Sequence, residues 1–256
     1  MTQSRYASVS VLAALLWTQS AVAVVTSVSL PGSADFDAWD NLTRTNPQVA
    51  TADPIFPNFP GSALWPEPIE SLLTFNTFSS SDDDPTGDAL FDKVSGNGYP
   101  AGISIYTSPN GSGVFKVFDT TPVTDIETLI FQIEIGSGSE FGVYLEDDPT
   151  LYINGDETTN IGYVASDLSV APPFDSGFGP VPVGTLRYQW DLRGLGPISE
   201  VDVRFETAGT SSTILALQLD QSDTFALVIP EPNALLLFGL SGAVVCGRRR
   251  RAAAKI

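Results

Sequence analysis

Leu129-Ile130-Phe131-Gln132-Ile133-Glu134-Ile135 carries the pattern that decides the fold, because Leu129, Phe131, Ile133 and Ile135 fall at every second position. A period of two sends successive side chains to opposite faces of an extended chain, so the segment predicts a half-buried strand. The same period returns further along. Leu186, Tyr188, Trp190 and Leu192 alternate with Thr185, Arg187, Gln189 and Asp191, and Val201, Val203 and Phe205 alternate with Glu200, Asp202, Arg204 and Glu206. Leu215, Leu217 and Leu219 predict another inward face, and Phe141, Val143 and Leu145 a shorter one. Turn-forming groups separate these runs: Pro109-Asn110-Gly111, Gly136-Ser137-Gly138, Asn154-Gly155-Asp156 and Gly194-Leu195-Gly196-Pro197. Short strands at this spacing predict an all-β domain, an antiparallel β-sandwich of jelly-roll type. No repeat of fixed period is present, which argues against a solenoid or a propeller.

One or two short helices are expected beside the sheets. Residues 35–42 begin with an acidic side chain and bring Phe36, Trp39 and Leu42 close to one helical face, and residues 86–94 are expected to add a short helix with Ala89, Leu90 and Val94 on its inner side. Residues 43–69 are rich in proline and hold no steady period, yet they carry Ile55, Phe56, Phe59, Leu64 and Trp65. So many large apolar side chains predict an arm laid over the domain and not a free linker.

The amino end reads as an export signal. Arg5 supplies the positive start, residues 9–16 an apolar centre, and Ala21-Val22-Ala23 a small-x-small cleavage site, so cleavage after Ala23 is expected. The carboxyl end has three parts in order: Pro230-Glu231-Pro232, an apolar run over residues 234–247, and Arg248, Arg249, Arg250 and Arg251. Each proline fixes its own φ and keeps the preceding residue out of the helical region, so the carboxylate of Glu231 is offered on a stiff, extended peptide. The apolar run of 14 residues would span roughly 21 Å as a helix, short of the about 30 Å hydrocarbon core that a lasting anchor must cross. The arginines hold their end on the cytoplasmic side.

This tail resembles that of PEP-CTERM proteins, the substrates of the membrane protease-transpeptidase exosortase, and the resemblance covers about the last 27 residues. It implies export, transient residence in the inner membrane through the C-terminal helix, processing by an exosortase, and a final place in the cell envelope or extracellular matrix, usually where exopolysaccharide or biofilm is made. It says little about the domain carried. The organisation expected is a signal peptide (1–23), a short helix and proline-rich arm packed on the domain (24–69), a β-sandwich (70–229) and the sorting tail (230–256).

Composition narrows the chemistry. Between residues 24 and 229 there are six cations against 29 acidic residues, a net charge of −23. Such a surface repels phosphate, which excludes nucleic acid as a partner. The only cysteine, Cys246, lies in the tail, so the domain folds without a disulfide, as a chain near this size can. There is no histidine, which removes imidazole catalysis and imidazole-bound metals, and no glycine-rich phosphate loop. Only a carboxylate pair of the kind used in glycoside hydrolysis remains for catalysis, and no enzymatic activity is expected.

Two binding readings stay open. Asp82, Asp84, Thr86 and Asp88 place oxygen ligands at alternate positions, with Gly87 sixth in the run, in the manner of a calcium loop. Lys93 stands at the twelfth place where a bidentate glutamate belongs, so a true EF-hand is not expected and Ca2+ would need help from another loop. Tyr99, Tyr106, Tyr144 and Tyr152 are candidates for carbohydrate contact, with Tyr144 expected on the outward face of its strand. The leading expectation is a non-enzymatic exported matrix or surface protein. The alternatives are a carbohydrate-binding module delivered by the same route and a carboxylate-dependent glycan hydrolase.

Overall fold

The alternation around Phe131 forms an inner strand of the larger of two antiparallel sheets. A computed structural model of the chain describes residues 25, 28–40, 42, 68–71, 86–101, 104–107, 111–137, 143–175, 180–209 and 211–229. In chain order its strands are β1 (Ala34–Trp39), β2 (Ile69–Glu70), β3 (Leu90–Gly96), β4 (Tyr99–Pro100), β5 (Ile105–Tyr106), β6 (Gly113–Asp119) and β7 (Thr128–Gly136). After them come β8 (Thr150–Ile153), β9 (Asp156–Ile161), β10 (Ala165–Asp175), β11 (Pro180–Asp191), β12 (Val201–Glu206) and β13 (Thr213–Ser222). The larger sheet runs β10-β11-β7-β13-β5-β4, with β1 also paired to β13, and the smaller runs β2-β3-β6-β12-β8-β9.

The two sheets share one core. Leu129, Phe131, Ile133 and Ile135 of β7, Tyr188 and Trp190 of β11, and Leu217 and Leu219 of β13 come from the larger sheet. Phe91, Phe115, Val117, Leu151, Val201, Val203 and Phe205 of the smaller sheet belong to the same buried cluster. Phe205 stacks against Phe115 at 5.7 Å and Phe91 at 6.4 Å between ring centroids, and meets Phe131 of the opposite sheet at 5.4 Å. All-β content and two antiparallel sheets agree with the sequence reading.

The two expected helices are strands instead. Residues 34–39 pair along their whole length with β13, from Ala34 opposite Ser222 to Trp39 opposite Leu217. Asp37 and Trp39 face inward, and Trp39 donates its indole N–H to the Ile69 carbonyl at 2.9 Å. A helix of one or two turns has little cooperativity, and the open edge of β13 offers a full ladder of backbone bonds in its place. The 86–94 segment likewise runs into β3, which pairs with β6; Phe91 is buried there and Val94 is exposed, against the expected inward Val94. The proline-rich arm and its anchors lie outside the described residues up to residue 67, where Ile69 and Glu70 then pair with β3.

Three facing assignments also change. The register between β7 and β13 slips between Ile214 and Ala216, so Leu215 packs with Ala171 and Val183 while Ile214, Leu217 and Leu219 stay in the main core. Such a bulge inserts one residue and turns the alternation over. Tyr144 points inward and is 2% exposed, whereas Val143 is exposed. The cause is Gly184 in β11: a Cβ there would stand 2.7 Å from the Tyr144 ring, so the glycine makes the slot that the ring fills. Finally, β7 is buried on both faces, not one.

Candidate functional site

The second buried face of β7 leads to the junction between the domain and its tail. Side chains on the outward face of three neighbouring strands stand in rows: Gln189 of β11 opposite Ile130 of β7, and Ile130 opposite Asp220 of β13. The next row holds Arg187, Gln132 and Gln218. Gln132, Gln189, Gln218 and Asp220 are all buried although they face away from the core. A polar face can be buried only if something covers it and satisfies its hydrogen bonds.

Both ends of the described chain form that cover. Past β13, residues 225–229 run back across the sheet as a strap. Phe225 donates its N–H to the Glu127 carboxylate at 3.0 Å, and Ala226 donates to Thr128 Oγ1 at 3.2 Å. Gln189 holds the rest: its Oε1 accepts from the N–H groups of Val228 (3.0 Å) and Ile229 (3.1 Å), and its Nε2 donates to the Ala226 carbonyl. Both lone pairs of one side-chain oxygen are thus committed to adjacent residues of the strap. Ile229 is 2% exposed and packs with Ile130 and Ala165, and Val28 and Leu30 close over the same cluster. From the amino side, Val28 donates its N–H to Asp220 Oδ1 at 3.3 Å. Ser33 and Asp223 exchange bonds as well, with the Ser33 N–H on Asp223 Oδ1 at 2.8 Å and the Asp223 N–H on the Ser33 carbonyl at 3.1 Å.

Asp220 is the electrostatic centre of this layer. Burial pushes its carboxyl up to about 7, against the opposing pull of hydrogen bonds from Gln218 Nε2 (2.7 Å), Gln132 Nε2 (3.0 Å) and Val28 N. Burial also raises Asp37, beside Ser71 and the Ala89 N–H on the inner face of β1, to about 7. A carboxyl whose folded pKa lies above its unfolded value binds its proton more tightly when folded, so its contribution is complete in acid and is lost as pH rises through about 7. Thermal melts should therefore show the domain more stable at pH 5 than at pH 8. Each aspartate contributes up to about 2 to 3 kcal/mol over that range, so Tm should fall by several degrees. Asp220→Asn should reduce the slope, with Asp37 and Glu134, which burial also raises to about 7, supplying the rest, and an unchanged slope would remove Asp220 as a source.

Of the residues singled out for calcium, Thr86 and Asp88 are described and turn to different partners. Thr86 Oγ1 bonds Asp35 and accepts the Phe36 N–H at 3.3 Å, whereas Asp88 accepts from Thr121 Oγ1 at 2.6 Å. Asp82 and Asp84 lie outside the described residues, among which no group of three or more acidic, histidine or cysteine side chains is placed to hold a metal. The tyrosines do not share a surface. Tyr99 is buried edge-on to Tyr106 at 5.8 Å, Tyr144 fills the core slot, and Tyr152 lies under the Arg204 guanidinium at 5.1 Å. Tyr163, which the sequence reading passed over, is exposed and donates to Asp148 at 2.7 Å, beside Tyr188 on the same carboxylate at 3.2 Å.

Ala21, Ala23, Pro230, Glu231, Pro232 and the four arginines lie outside the described residues. Among the described residues no helix is long and apolar enough to cross a membrane. Compared with known families, residues 228–251 match the PEP-CTERM protein-sorting motif. The chain carries a PEP-CTERM sorting tail. No curated protein and no solved structure matches the chain. The PEP-CTERM match begins at Val228, so its first two residues are the pair whose N–H groups Gln189 holds. The motif and the fold therefore overlap. No periodicity announces Gln189, Gln132, Gln218 or Asp220, since polar residues on the outward side of a strand ordinarily meet water. The available hint was the apolar content of residues 225–229, too short a run to be read as a strand.

Proposed function

We propose that this is a non-enzymatic protein of the cell envelope or extracellular matrix, exported through its amino-terminal signal and processed by an exosortase at its PEP-CTERM tail. The observation that carries the reading is the motif match over residues 228–251, whose first two residues close a folded, strongly acidic domain. The sandwich is the cargo and the tail is its routing device. The inner membrane is then a transient partner, held through residues 234–247, and hydrated exopolysaccharide is a suitable final setting for a soluble domain of charge −23. The tail acts through three physical parts: a stiff carboxylate-bearing peptide for recognition, an apolar run too short for permanent residence, and a cationic stop. Fractionation of host cells tests this. The protein should be recovered outside the inner membrane without its arginine cluster; a full-length form confined to the cytosol would overturn the proposal.

A further inference from the structure

We propose that the folded domain fixes where processing ends: the exosortase cut falls on the carboxyl side of Ile229, and the mature protein keeps the whole strap. The proposal rests on exosortase processing of the tail, as set out above. A peptidase takes its substrate as an extended chain whose backbone N–H and C=O groups are free to bond the enzyme. Between residues 225 and 229 four of the N–H groups and one carbonyl are already engaged. The Phe225, Ala226, Val228 and Ile229 N–H groups go to Glu127, Thr128 and Gln189, and the Ala226 carbonyl accepts from Gln189.

Ile229 adds a steric lock. Its side chain sits between Ile130 and Ala165 under Val28 and Leu30, so a cut before it would remove the plug of that cluster and bare a buried amide on Gln189. Chain upstream of Pro230 becomes available only in the small fraction of molecules whose strap has opened locally. Val28 contributes to both halves of the joint, through its N–H on Asp220 and its side chain near Ile229, so the segment that follows the signal peptide helps to shield the segment that precedes the sorting motif. In the cut itself the peptide C–N bond breaks. The acyl carbon passes to water, or to an amine or hydroxyl of a surface acceptor, and the tail leaves with the proton as a free α-amine.

Peptide mapping and intact mass spectrometry of the protein from its native host provide the test. A last residue at Ile229 or beyond, with the arginine cluster gone, is the expected result. A last residue anywhere from 224 to 228 overturns the boundary while leaving the sorting reading in place, and a chain still ending in Ile256 removes the sorting reading and the boundary together. A second measurement addresses the strap directly. In full-length wild type, chymotrypsin should nick slowly after Phe225 and Leu227, and Gln189→Leu, which keeps the volume but removes all three bonds, should raise that rate about tenfold or more. Equal nicking rates in wild type and variant would show that Gln189 does not hold the strap.

Discussion

Glu231→Ala should leave the protein in the membrane as an uncut precursor. The carboxylate of Glu231 is the only charge of the tail before the arginine cluster, so an enzyme that recognises this motif has one strong handle on it. Truncating one partner of a desolvated, hydrogen-bonded charge pair costs about 2 to 5 kcal/mol, which is a loss of about thirty- to several-thousand-fold in processing. A precursor slowed to that extent accumulates. It should run larger on gels than the wild-type product and fractionate with the inner membrane. Glu231→Gln separates charge from shape, since it keeps the hydrogen-bonding atoms and the length. Release of the alanine variant at the wild-type rate would mean that the motif is read through its prolines or its apolar run alone.

The second large effect is on stability. Phe205→Ala should lower the stability of the domain by about 3 to 5 kcal/mol, a substantial part of the 5 to 15 kcal/mol available to a typical domain. Phe205 is 3% exposed and its ring meets Phe91, Phe115 and Phe131, so truncation opens a cavity where rings from both sheets converge. At this chain length the loss corresponds to a drop in Tm of about 6 to 20 °C. Phe225→Ala provides the contrast. That ring lies half-buried under the Arg193 guanidinium at 3.8 Å, and its removal should cost far less. A similar Tm for both variants would contradict the placement of the core between the sheets.

The parts of this architecture that could be read from sequence were those in which one physical rule acts alone. Alternation at 129–135, 186–192 and 201–205 located β7, β11 and β12 because each has one face in a common core. Residues 35–42 misled because six or eight residues with spaced apolar side chains satisfy a helical and an extended pattern equally well, and the choice was made by a distant edge, that of β13. The facing of Tyr144 depended on the glycine forty residues away that makes room for it, and the facing of Leu215 on a bulge. The junction was half visible. Its chemical label lies in the consecutive residues Pro230, Glu231 and Pro232, whereas the polar layer that holds Val28 and residues 226–229 is assembled from Gln132, Gln189, Gln218 and Asp220, which share no sequence signature.

The strap also bears on what happens when the domain is pulled. Tension arriving through the carboxyl end meets residues 225–229 first, and their few hydrogen bonds can yield one after another, like a zip fastener, before the load reaches β13. That strand is laddered to β7 along its length and to β1 over residues 217–222, so it resists as a set of bonds stressed together in shear. Peeling five residues lengthens the tether by about 17 Å while the sandwich remains intact. The short segment beside the sorting motif would then serve as a mechanical fuse, absorbing a tug from the surroundings by paying out slack and resealing when the force is gone.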